Sequence, residues 1–226
     1  MRVVSTNIFD SKCECLVNTV NTVGAMGAGL ALEYRLRVPR MYNEYVRKCK
    51  LKEIVIGKYW LYTDMDRLCK KILNFPTKKH FIHNSKHEYL YKGLIYFREN
   101  YKKDNISSIA FPFLGARQGK LNRDNVLLIM RDFLHDLPID IEICENKVPD
   151  RFTITVKNIL ESMSVEEISD NFRIYTKTAE KLKHQLKNVK YLSEIVAFNI
   201  VSVQTAELIY DYFFRRLSKM DLFNYK

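Results

Sequence analysis

The chain has 226 residues, of which 47% are hydrophobic while only 5 are Pro and 7 are Gly, which excludes a disordered or low-complexity chain. Lys and Arg number 37 against 26 Asp and Glu, a formal charge of +11; this favours polyanionic partners such as nucleic acid or nucleotides, although a Lys-rich solvated surface from AT-biased coding reads the same way. No apolar run approaches the ~18 residues of a membrane span, and the first residues lack an apolar stretch leading to a small-residue cleavage site, so a cytoplasmic protein without membrane contact is expected.

Residues 2–5 form a short β-branched run and read as a strand, and residues 15–20 as a second. Glycines punctuate positions 24, 27 and 29, and a helix is expected to start at Gly27 or Gly29 and carry Leu30, Ala31 and Tyr34. Pro39 suits the first turn of the next helix, through Met41, Tyr45 and Val46. Residues 57–62 read as a strand, and residues 71–75 as another that Pro76 stops. Between residues 86 and 101, Tyr89, Leu90, Leu94, Ile95 and Phe97 recur at helical spacing. Residues 107–113 resemble a buried parallel strand, and residues 122–134 a helix. Residues 139–144 alternate with period two and close the series as an edge-like strand.

Strands alternating with helices predict an α/β fold with a central mixed sheet covered on both faces. The composition turns polar around residues 146–150, with Pro149, which divides the chain into residues 1–148 and a small, mostly helical unit, 149–226. That unit is expected to open on a short strand at residues 152–156, and its run 191–217 is apolar at helical spacing, the pattern of a core or partner face.

The five cysteines, Cys13, Cys15, Cys49, Cys69 and Cys144, are odd in number and lack a metal-spaced second pair, so they read as reduced, mostly buried thiols. His80, His83 and His87 invite a metal reading, but no fourth ligand has suitable spacing and Lys79, Lys86 and Lys92 would repel a cation.

Three turns that follow predicted strands could carry chemistry, since ligands settle at the carboxyl ends of strands in open α/β sheets. In the first, Asn18 and Asn21 precede the glycine loop at residues 24–29, where successive N–H groups could cradle phosphate and the amides could bond ribose hydroxyls. An ordinary turn with capping Asn residues would look the same. In the second, residues 74–80, Lys78 stands at a strand end, as a phosphate contact or a desolvated nucleophile; most lysines are simply solvated. In the third, residues 112–122, Gly115 and Gly119 bracket a strand-to-helix turn carrying Arg117 and Lys120, which also suits a plain connector.

Taken in order, these segments resemble the macrodomain family, and are especially similar to its DarG branch, the DNA ADP-ribosyl glycohydrolase antitoxins that partner DarT toxins. The resemblance rests on Asn18-Thr19-Val20-Asn21 followed by residues 23–31, on Asn74-Phe75-Pro76-Thr77-Lys78, and more weakly on residues 112–121 as a second phosphate loop. It covers roughly residues 1–146. It implies a three-layer α/β/α fold with ADP-ribose lying across the carboxyl edge of the sheet. Asn21 would orient the distal ribose, supported by Asn18. The ligand would be held by Gly24, Met26, Gly27, Ala28, Gly29, Thr77, Leu114, Gly115, Ala116, Arg117, Gln118 and Gly119. Lys78 would be the catalytic lysine, attacking the anomeric carbon C1″ or stabilising the departing base before water completes hydrolysis. The resemblance implies no metal and no cofactor beyond ADP-ribose as ligand. ADP-ribosylated DNA and a DarT-like toxin are the implied partners, and the oligomeric state is not legible.

One departure stands out. The second loop of the family is usually glycine-rich, as in Leu-Gly-Cys-Gly, whereas Arg117 stands here where the family has Gly. That favours an alternative in which the chain binds ADP-ribose or a related nucleotide without turnover. A third reading makes the helical unit a surface that contacts a toxin.

Overall fold

The computed structural model describes residues 1–68 and 70–219. Its strands are β1 (Arg2–Val4), β2 (Cys15–Asn21), β3 (Trp60–Asp64), β4 (Lys70–Lys78), β5 (Ser108–Pro112) and β6 (Asp140–Cys144). Among the described residues they form a six-stranded sheet in the order β1-β6-β5-β2-β4-β3. All neighbours are parallel except β3, which runs antiparallel to β4. The sheet is therefore mixed, with the carboxyl ends of β2, β4, β5 and β6 along one edge. β2 is buried on both faces, as expected of a parallel strand under two helical layers.

The side chains of β2 sort by alternation. Cys15 and Val17 join the core under α3 (His87–Asn100) and α4 (Arg123–Leu134). Leu16 and Val20 join the opposite core, with residues of α1 (Gly29–Arg37) and α2 (Pro39–Lys50). That second core continues into α5 (Arg151–Ser162), α6 (Val165–Phe172), α7 (Thr176–Gln185), the short α8 (Glu194–Ala197) and α9 (Val203–Lys219). The result is three layers, α/β/α, with the C-terminal helices on the α1 and α2 side.

Several elements differ from what the sequence pattern predicts. β4 does not stop at Pro76 but runs through it to Lys78. β3 pairs only as far as Asn74, and the register with β2 shifts between Val20 and Asn21, so no ladder bond is demanded of the missing proline N–H. β6 is not an edge, because β1 adds outside it. β3 begins at Trp60, three residues later than its aromatic run suggests. Residues 152–156 are not a strand but the first turns of α5: Phe152, Val156 and Leu160 are buried at four-residue spacing, and this period overrides the β-branched composition. The apolar run 191–217 is two helices rather than one, separated by Asn199 in the left-handed region at φ 52° and restarted where Ser202 Oγ accepts the N–H of Thr205.

Cys13, Cys15, Cys49 and Cys144 are free, buried thiols, and burial pushes Cys144 up to about 12; Cys69 lies outside the described residues. No described helix is long and apolar enough to cross a membrane.

Candidate active site at the carboxyl edge of the sheet

At the end of β2 the Asn21 side chain folds the loop that follows. Its Oδ1 accepts the N–H groups of Val23 (3.0 Å) and Ala25 (3.2 Å), and its Nδ2 donates to the carbonyl of Ala25 at 2.6 Å. The Tyr45 hydroxyl, from α2, donates to the carbonyl of Asn21 at 2.6 Å. Gly24 then turns at φ 83° and Gly29 opens α1 at φ 56°, conformations that L side chains rarely adopt. Gly27 between them faces open space, so its backbone is accessible to an incoming group. Ala28 caps α1 without a side-chain acceptor, leaving the first N–H groups of the helix uncapped. Asn18, three residues earlier on β2, is fully buried; its Nδ2 donates to Asn74 Oδ1 at 3.0 Å and approaches the sulfur of buried Met26.

Lys78 ends β4 and is the sheet neighbour of Asn21. Thr77 before it is buried, while Lys78 is half-buried and reaches sideways. Its Nζ donates to the carbonyl of Gln118 at 2.5 Å and to that of Phe81 at 3.4 Å. Burial, and then the nearby charge of Lys120, hold its pKa below the ordinary lysine value. Loss of solvation disfavours the ammonium form, and a second cation adds to that.

The second loop closes over this lysine. Leu114 is buried, Gly115 turns at φ 67°, and the Leu121 N–H returns to the Gly115 carbonyl at 3.1 Å. Gly119 is packed so closely on Gly115 and Ser85 that a Cβ there would lie 2.2 Å from the Gly115 carbonyl oxygen. The Gln118 side chain approaches Gly29, so the two glycine loops meet across Lys78. Ala116 is half-buried between them and the body. Arg117 turns the other way. Its guanidinium donates to the Asn146 carbonyl at 2.6 Å, beyond the end of β6, and lies 5.8 Å from the ring of Tyr191. It therefore ties the second loop to the residues just after β6, beside Tyr191 of the C-terminal part.

The structure thus brings Asn21, residues 24–29, Lys78 and Gln118 together at the carboxyl edge of the sheet, with Asn18 and Thr77 buried beneath them. Sequence reasoning named Asn74 only as part of a motif and left two supports, Asn74 and Tyr45, without a role. Asn74 carries the signal of being the register partner of Asn18, but only once β2 and β4 are known to pair. Tyr45 sits in a helical stripe that reads as plain core. The three histidines do not converge on a metal-holding arrangement: among the described residues no group of three or more His, Cys, Asp or Glu could hold one.

Against known proteins, the model of the Macro domain matches residues 17–130. The chain belongs to the macrodomain family. It is 42% identical over 123 residues to the DNA ADP-ribosyl glycohydrolase of Thermus aquaticus, an alignment covering 54% of this chain and 34% of that protein. It is 33% identical over 181 residues to a DNA ADP-ribosyl transferase–DNA ADP-ribosyl glycohydrolase fusion protein of Thermosipho africanus, covering 72% of this chain and 46% of the relative. Among solved structures, Thermosipho africanus DarTG in complex with ADP-ribose superposes with a TM-score of 0.61 at 35% identity, over 63% of this chain and 40% of that one. The macrodomain chain described here therefore spans between a third and a half of these relatives.

Proposed function

We propose that this macrodomain is an ADP-ribosyl glycohydrolase that removes ADP-ribose from DNA and so acts as antitoxin to a DarT-like ADP-ribosyltransferase. The observation that carries it is Lys78, partly buried, lowered in pKa by that burial and by Lys120, and held beside Asn21 between two glycine loops. The identity to the Thermus glycohydrolase supports the DNA substrate, and the transferase fused in the Thermosipho relative supports the partner. Reduced thiols and a DNA substrate fit a cytoplasmic protein.

In this reading the diphosphate lies on the N–H groups of residues 26–29 and of the second loop, Thr77 and residues 114–119 line the opposite wall, and Asn21 fixes the distal ribose. Neutral Lys78 attacks C1″ as the bond to the base breaks, the leaving base takes the proton that the alkylated amine sheds, and water then cleaves the new C1″–Nζ bond to release ADP-ribose and return the amine. Alternatively protonated Lys78 stabilises charge on the departing base while water attacks directly. Incubation with an ADP-ribosylated oligonucleotide tests the reading: the wild type is expected to release ADP-ribose, and Lys78→Ala to lose at least about a hundredfold in rate. Undiminished release by Lys78→Ala would remove Lys78 from the mechanism.

The bonds from Lys78 to two loop carbonyls and the engagement of Arg117 away from the cleft favour a second reading, a macrodomain that binds ADP-ribose without turnover. Calorimetric binding of free ADP-ribose with no release from the modified oligonucleotide would select it.

A further inference from the structure

The segment after β4, residues 79–86, is fastened through its backbone and by buried Ser85, and its residues 79, 81–84 and 86 are exposed. Thr22 donates to the Lys79 carbonyl from its hydroxyl at 2.8 Å and from its N–H at 3.3 Å. Lys78 reaches the Phe81 carbonyl, and the Ser85 N–H donates to the Gly119 carbonyl at 3.0 Å. Both glycine loops and the candidate catalytic lysine therefore hold this segment in place. Its apolar side chains point outward: Phe81 is 53% exposed and Ile82 69%. Neither belongs to the hydrophobic cores, so packing does not account for them. The Phe81 ring lies 4.3 Å from that of His80 at 31°, and His83 lies 5.7 Å from His80. Lys79 and Lys86 on the segment, and Lys120 on the second loop, are exposed and make no ion pair among the described residues; the exposed Glu88 nearby is taken by Lys92.

An exposed Phe81 ring beside half-buried His80, flanked by lysines without a carboxylate partner (Lys86 lies 5.9 Å from the Tyr89 ring), suits a single strand of nucleic acid. Any base offers a face for stacking, while lysines follow the phosphates. A duplex keeps those faces occupied by its own stacking. We propose that residues 79–86 form a docking platform for single-stranded nucleic acid. A base beside the modified nucleotide stacks on Phe81 and His80, and the backbone runs along Lys79, Lys86 and Lys120. The platform rests on the nucleic-acid substrate proposed above and adds the place where the strand beside the modified nucleotide docks, on the segment after β4.

The test is fluorescence anisotropy with an unmodified, labelled single-stranded DNA oligonucleotide, the same sequence as a duplex, and a polyglutamate peptide. Phe81→Ala is expected to weaken single-strand binding roughly tenfold without changing the salt slope. Lys79→Ala combined with Lys86→Ala is expected to reduce that slope by about 1.4. Absence of single-strand binding by the wild type, indifference to Phe81→Ala, or equal Phe81-dependent binding of duplex or polyglutamate would each overturn the platform. Release of ADP-ribose from a modified oligonucleotide is measured in parallel. Phe81-dependent strand binding without release keeps the platform and removes the glycohydrolase reading, and release with Phe81-independent binding does the reverse.

Discussion

At the scale of single residues, Lys78 decides between the two chemical routes. Its pKa is lowered by burial and by Lys120, so on raising the pH it loses its proton before an ordinary lysine would. If the neutral amine is the nucleophile, the rate rises with pH through that lowered pKa and then levels. Lys120→Ala removes a repelling charge, restores part of the ammonium preference and moves the rise to higher pH. A charge-stabilising lysine gives the opposite profile, with rate falling as the proton leaves. Comparison of pH–rate curves for wild type and Lys120→Ala therefore checks the route, and a profile that Lys120→Ala leaves in place would remove this coupling. Lys78 and Asn21 stand out in the sequence only through the macrodomain resemblance, since a lysine or an asparagine at a strand end is by itself usually solvated or structural. The work done by the Asn21 amide was not legible. Its bonds to Val23 and Ala25 make it the builder of the loop as well as a candidate ribose contact.

At the scale of elements, the two glycine loops make opposite demands. Gly119 is required by the fold, since a Cβ there meets the Gly115 carbonyl and Ser85 Oγ at 2.2 Å. Gly27 is not, because nothing lies within 4 Å of the Cβ position. If a diphosphate approaches the Gly27 backbone, Gly27→Ala is expected to leave thermal stability unchanged or raise it slightly, by about 0.4–1 kcal/mol, while ADP-ribose affinity falls roughly tenfold. Calorimetry and thermal unfolding of that variant check both halves, and unaltered affinity would move the ligand off this loop. Element type was largely legible from periodicity; pairing was not. That β4 tolerates Pro76, and that β1 covers β6, depend on which strand lies alongside, and this is decided by contacts far apart in sequence. The strand expected at residues 152–156 shows composition yielding to the four-residue spacing of Phe152, Val156 and Leu160.

At the scale of the molecule, we propose that residues 1–148 and 149–226 are a macrodomain and an appended helical unit that folds onto it, rather than two independently folding domains. The interface is charged as well as apolar. Arg37 of α1 is fully buried against Phe9 and Phe152 and is paired with Glu33 at 3.1 Å and Asp150 at 3.0 Å. Glu33 in turn accepts the Ser193 N–H and the Tyr210 hydroxyl, both at 2.9 Å. Removal of residues 149–226 would take Asp150 from Arg37 and Ser193 and Tyr210 from Glu33, and uncover the face that includes Ile8, Phe9 and Leu36. Breaking one buried ion pair costs about 3–5 kcal/mol, a large part of the roughly 5–15 kcal/mol that holds a domain together. The whole chain is therefore expected to unfold in one cooperative transition, and the fragment 1–148 to aggregate or to lack such a transition in calorimetry. Because α1 begins at Gly29, the same loss would loosen the first loop, so any fragment that remains in solution is expected to bind ADP-ribose more weakly than the whole chain. A soluble fragment that unfolds cooperatively and binds ADP-ribose as well as the whole chain would make the helical unit an independent domain, and its role would then have to be sought in a partner rather than in the fold.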